Sequence, residues 1–138
     1  MEPGDSVERE IRAAHRRLDA LFEDARDAFA DEEAPEAARE AFDVLHGALA
    51  THFDQEERLY YPAIWALRPE RKAELEEIVA THGEFRVRLD AIRAHLARRD
   101  FAKARRTFDH LAQAFGQHET AEERVLGDLD RELAAAAR

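Results

Sequence analysis

Apolar residues recur at alternating steps of three and four along almost the whole chain. The first stretch reads Val7, Ile11, Leu18, Phe22, Ala25 and Phe29. The second reads Phe42, Leu45, Leu49, Leu59 and Ala63, and the third Leu75, Ile78, Phe85, Leu89, Ile92 and Leu96. The fourth reads Phe101, Ala104, Phe108, Leu111, Phe115, Val125 and Leu129. That period lays one apolar stripe along each of four helices. Breakers separate them at Pro3-Gly4-Asp5-Ser6, at Asp31 to Pro35, at Arg68-Pro69-Glu70 and at Arg98-Arg99-Asp100. The expected helices run over about 5–31, 35–67, 69–98 and 100–135. Pro35 and Pro69 suit a first helical turn, where a missing N–H costs nothing. Asp5, Ser6 and Asp100 suit N-caps. Pro62 lies inside the second stretch, so a kink or an early end is expected there. Four such helices with short turns predict an all-α, antiparallel up-down-up-down four-helix bundle, with residues 1–138 forming one domain.

The interruptions in the stripes carry the chemistry. Seam position 15 is His, 52 and 56 are His and Glu, 82 is His, and 118 and 122 are His and Glu. Each helix contributes at least one. The remaining histidines, His46, His95 and His110, fall off the stripes and read as surface residues. A buried carboxylate or imidazole without a partner costs several kcal/mol. Six in one core would exhaust a net stability of about 5–15 kcal/mol. Cations are the simplest compensation. Residues at i and i+4 share a helix face, so His52 with Glu56, and His118 with Glu122, can converge on one site.

Depth can be counted from the turns. With the first turn at about position 33, His15 lies 18 residues before it and His52 19 after. With the third at about position 100, His82 lies 18 before and His118 18 after. With the second at about position 69, Glu56 lies 13 before and His82 13 after. At about 1.5 Å rise per residue, all six groups share one layer.

Composition narrows the metal and the partners. The chain has no cysteine, which excludes thiolate sites, disulfides and a Cys nucleophile. Imidazole with carboxylate suits Fe, Zn or Mn. Four nitrogens and two carboxylates exceed one tetrahedral Zn but suit two ions. Two bridging carboxylates with an oxo or hydroxo bridge would offset most of the charge, so two irons are preferred, with Zn or Mn as substitutes. A net charge of -10 argues against nucleic acid and anionic lipid as partners. No apolar run approaches 20 residues, and the opening MEPGDSVERE lacks the apolar core of a signal peptide. A cytoplasmic protein is expected. The ferritin-like Glu-x-x-His motif is absent, since no His has Glu three residues before it.

The order His…His-x-x-x-Glu…His…His-x-x-x-Glu, together with His52-Phe53-Asp54-Gln55-Glu56-Glu57 and the following Tyr61-Pro62, resembles the hemerythrin-like family of HHE cation-binding domains. The resemblance covers essentially the whole chain. It implies that His15 and His52 bind one iron, that His82 and His118 bind the other, and that Glu56 and Glu122 bridge. Two positions depart from the oxygen-carrying members. Arg86 stands where they have a second third-helix His, and Glu122 follows the last His by four residues rather than five. The chain is therefore nearer the bacterial and sensor-type members than the oxygen carriers. Glu57 reads first as a solvated neighbour and second as an outer contact or ligand of the site. Tyr60 and Tyr61 read first as packing and second as a hydrogen-bond donor or phenolate beside it. Arg86 reads first as a surface ion pair and second as neutralising a carboxylate near the site, and Trp65 reads as packing.

Three functions follow. The first is a di-iron module that binds or senses O₂, NO or iron. The second is an enzyme on the same site, acting on hydrogen peroxide or reducing NO. The third is a metal-free structural bundle, which the common depth of six ligands disfavours. A protein partner or a homodimer is not legible.

Overall fold

A computed structural model of the chain describes residues 3–136, with the side chains at 3–6, 133, 134 and 136 outside that description. Helix α1 spans Pro3–Ala30. Its backbone already includes Asp5 and Ser6, so neither caps it from outside. Helix α2, Pro35–Gln55, runs into a five-residue π-helical turn, Glu56–Tyr60, and on into α3, Tyr61–Leu67. A 3₁₀ turn, Pro69–Arg71, opens α4, Lys72–Ala97, and α5 spans Phe101–Ala136. The helices α1, α2–α3, α4 and α5 form an all-α four-helix bundle, and the described residues contain no strand.

The contact order sets the topology. Along α1 and α5, Phe29 meets Phe101, Phe22 meets Phe115, and His15 meets Glu122. Along α2 and α4, Asp43 meets Arg93 and Phe53 meets Phe85. Along α4 and α5, Phe85 meets Phe115 and His82 meets His118. Every one of these pairs runs in reversed order, so each of these neighbours is antiparallel.

Local chemistry explains the ends. Pro35 sits in the first turn of α2, where its missing N–H is no loss. Asp100 Oδ1 accepts from the Lys103 N–H at 3.2 Å and caps α5. The end of α4 closes with Asp100 N–H on His95 O and Arg99 N–H on Leu96 O. That pairing requires a left-handed residue, and Arg99 supplies it with φ 59°. Near the second turn, Arg68 and Arg71 both reach Glu132 and tie α5 to it.

The second helix departs from the stripe read off the sequence. Leu59 and Ala63 were expected inside, but Leu59 is 62% exposed and Ala63 is exposed, while Tyr61 and Ile64 are buried instead. The cause is the wide turn, in which the Tyr61 N–H donates to Glu56 O, five residues back. Pro62 follows at once. It has no N–H to donate, and its ring would collide with the carbonyl four residues back. The expected kink is met by widening the helix, and one extra residue shifts every later side chain around the axis.

Two apolar clusters result. The larger holds Leu18, Phe22, Phe29, Phe53, Phe85, Phe108 and Phe115, and the smaller holds Ile11, Tyr61, Ile64, Leu75, Leu126 and Leu129. The six polar seam residues separate them. This register has a direct test by urea unfolding of metal-free protein. Leu59→Gln should change stability by less than about 0.5 kcal/mol, whereas Ile64→Ala should cost about 2–4 kcal/mol. Equal losses would contradict the shifted register.

Candidate metal centre

The helices bring all six seam residues together. His15, His52, Glu56, His82, His118 and Glu122 are all buried, with exposures from 0% to 8%. One ligand atom each from His15, His52, Glu56 and Glu122 lies within 4.8 Å of the others, and the same holds for Glu56, His82 and His118. Glu56 belongs to both groups. Glu122, expected to be shared as well, falls only with the first. His46 and His95 are half-buried and His110 is exposed, and none joins the cluster.

The imidazoles are oriented from outside. His82 Nδ1 lies 2.9 Å from Glu57 Oε2, and His15 Nδ1 lies 3.2 Å from Glu123 Oε1. A carboxylate only accepts, so both Nδ1 atoms carry the ring proton. Thr81 Oγ1 lies 2.9 Å from His118 Nδ1 and donates its single proton to Ile78 O at 2.6 Å. Thr81 must therefore accept from His118 Nδ1–H. Three Nε2 lone pairs are thus left facing inward. His15 Nε2 then sits 2.6 Å from Glu122 Oε1, and His82 Nε2 3.2 Å from Glu56 Oε1. A lone pair facing a carboxylate oxygen needs a proton or a cation between them.

The inward atoms have no such partner in hydrogen-bond geometry. Nε2 of all four histidines, Oε1 of Glu56 and both Glu122 oxygens are buried and unsatisfied. Native structures leave few such atoms, and here seven converge. The donor set is nitrogen and carboxylate oxygen, which suits a borderline or hard divalent cation.

Titration in the metal-free chain follows the crowding. Burial, then the Glu56 charge, raises the Glu122 carboxyl well above its ordinary range. Burial also acts to raise Glu56, but its close polar contacts with Glu122, His52 and His82 outweigh it and hold that carboxyl low. Burial lowers His118 to about 4. Next to the cluster, burial and then a hydrogen bond with Asp19 raise Glu119 to about 9.

The model of the hemerythrin HHE cation binding domain matches residues 6–129. The chain belongs to this family. No curated protein and no solved structure matches it. The buried His and Glu cluster is compatible with the metal binding that the family's description names. Among the described residues, no helix is long and apolar enough to cross a membrane.

Sequence reasoning ranked second the outer contacts that Glu57 and Tyr61 make at this hemerythrin-like centre, and missed those of Thr81 and Glu123. Glu57 was read first as solvated but reaches His82. Tyr61 was read first as packing, yet its hydroxyl donates to Glu56 Oε2 at 3.1 Å. Thr81 and Glu123 carried no signal, because a single hydroxyl or carboxylate beside a helix seam is commonplace.

Glu119 yields a pH prediction. Its folded pKa is raised from 4.5 to about 9. Its contribution to stability is therefore full below about pH 4.5 and is lost as pH rises through about 9. In metal-free protein, Glu119→Gln should exceed wild type in stability by on the order of a few kcal/mol at pH 8, and the gain should vanish near pH 4. A gain that is the same at both pH values would contradict the buried-carboxyl account.

Proposed function

We propose that this hemerythrin-like chain holds two iron ions, one on His15, His52, Glu56 and Glu122 and the other on Glu56, His82 and His118. The observation that carries this reading is the convergence of seven unsatisfied nitrogen and carboxylate atoms on Glu56, with three imidazoles already locked in the tautomer a cation requires. Iron fits the donors and the family, and Zn or Mn would fill the same ligands. Bound there, a pair of irons would supply open coordination positions and one- or two-electron redox change.

The chain's own residues define the rest. His15, His52, His82 and His118 bring neutral nitrogens, and the two carboxylates bring the negative charge. Loading releases the Glu122 proton, since a ligating carboxylate must be ionised. Phe53, Phe85 and Phe115 close one side of the layer and exclude water there. The function best supported is the binding or sensing of O₂, NO or iron itself, with occupancy linked to the stability of the bundle. A second reading, turnover of hydrogen peroxide or reduction of NO, draws on the Tyr61 hydroxyl held against Glu56 as a proton source. It would require steady turnover with peroxide or NO.

Elemental analysis after anaerobic Fe²⁺ loading tests the assignment. Wild type should hold about two irons per chain, on the two ligand groups. His118→Ala should hold about one and unfold at lower temperature when loaded, by linkage. Unchanged iron content in His118→Ala would sink the assignment of the second position.

A further inference from the structure

The π-helical turn gives two consecutive glutamates different duties. Glu56 is fully buried and faces the cluster. Glu57, the next residue, is carried to the outer edge of His82, and its side chain is 28% exposed. Its Oε2 accepts from His82 Nδ1 at 2.9 Å and from Arg86 Nη2 at 2.6 Å. Arg86 also lies over the Phe53 ring, 5.6 Å from its centroid. Phe53 stacks on His82, with centroids 4.2 Å apart and planes 22° from parallel. The four side chains close a loop. Glu57 grips the His82 ring at its edge, Phe53 covers its face, and Arg86 holds both.

We infer that Arg86 and Glu57 are positioning residues which fix the tautomer and ring plane of His82, and so set the affinity of the three-ligand position for its ion. The inference rests on the two-ion reading above. A charged acceptor on Nδ1–H holds the proton there, leaves the Nε2 lone pair free and makes it more basic. Arg86 fixes the acceptor through a charge-assisted bond and stacks on the aromatic face. It also cancels the Glu57 charge, so His82 is oriented without a further net negative charge at the layer. Arg86 thus bears on the three-ligand position through two intervening side chains, Glu57 and His82. His15 provides a contrast within the same centre. Its carboxylate partner Glu123 is farther away, at 3.2 Å, and among the described residues no Lys or Arg pairs with Glu123. The four-ligand position therefore has no equivalent clamp.

Two measurements on the full chain test this. The first uses long-range proton–nitrogen NMR spectra of metal-free, ¹⁵N-labelled protein. In the wild type the His82 Nδ1 should carry a proton, and Glu57→Leu should shift the ring toward the form protonated at Nε2 alone. The second is anaerobic Fe²⁺ titration followed by calorimetry. Glu57→Leu should weaken the second uptake step about 10–100-fold, as other outer partners of ligating histidines do, and leave the first step unchanged. Glu57→Gln should fall between the two, since its amide oxygen accepts the bond without the charge. Arg86→Ala should weaken the second step, and Arg86→Lys should restore part of it. An Nε2–H tautomer in wild type would overturn the positioning role, whatever the metal content. So would a Glu57→Leu titration identical to wild type, or one in which both steps weaken together with the thermal stability. A wild-type chain that takes up fewer than two ions would overturn the two-ion reading itself. The tautomer spectra would then show that failure to be separate from the orientation of His82.

Discussion

Glu56 and Glu122 are fully buried together at the centre of the bundle, ringed by four imidazoles. Two like charges cannot share a low-dielectric site without a compensating charge. In the metal-free chain the conflict is met by protonation, with Glu122 taking the proton and Glu56 remaining ionised beside it. That is a partial remedy, because seven inward-facing atoms still lack a hydrogen-bond partner. A polar layer of this kind divides what would otherwise be one apolar core into two. The larger cluster compensates with phenylalanines that stack across helices, as Phe22 does on Phe115 and Phe29 on Phe108. The bundle stands on those apolar ends, and its centre is poised for cations.

The wide turn after α2 is the main backbone adjustment to that layer. In a regular α-helix, residues five apart diverge by about 140° around the axis. Here Glu56 and Tyr61 are five apart, yet the Tyr61 hydroxyl bonds Glu56. The same turn carries Glu57 to His82 and turns Leu59 out to solvent. One inserted residue therefore couples the orientation of a carboxylate, its phenol donor and the outer partner of an imidazole on another helix. π-turns embedded in α-helices often mark functional positions, and in this chain the reason is geometric.

Much of this was legible from the sequence. The three-and-four spacing of Ile11, Leu18, Phe22 and Phe29, or of Phe85, Leu89, Ile92 and Leu96, fixes a helix face without help from tertiary structure, and those residues are buried. The six seam positions were legible for the opposite reason, since a titratable group in an apolar stripe has no bland explanation when every helix supplies one. The second helix was not legible beyond Glu56. Pro62 announces a disturbance, but it does not say whether the chain will break, bend or widen, and each choice exposes different residues. The contacts made by Thr81 and Glu123 were also hidden. They lie off the stripe, where charged and hydroxyl residues are the rule, and only the approach of a neighbouring helix distinguishes them.

The two ligand groups are unequal, and the inequality bears on what the centre can do. Four side chains surround one position and three the other, with Glu56 common to both. A position with fewer protein ligands binds its ion more weakly, and it has more room for a small exogenous ligand. It is also the position whose histidines are both held from outside, His118 by Thr81 and His82 by Glu57. Fewer ligands with firmer orientation lower the cost of ordering the site at the moment an ion arrives, because the imidazoles need not search. The four-ligand position contains His52, whose Nδ1 has no partner among the described residues. It relies on ligand number instead. Under the two-ion reading proposed above, one ion would be held by ligand count and the other by ligand orientation, an arrangement that favours stepwise occupancy.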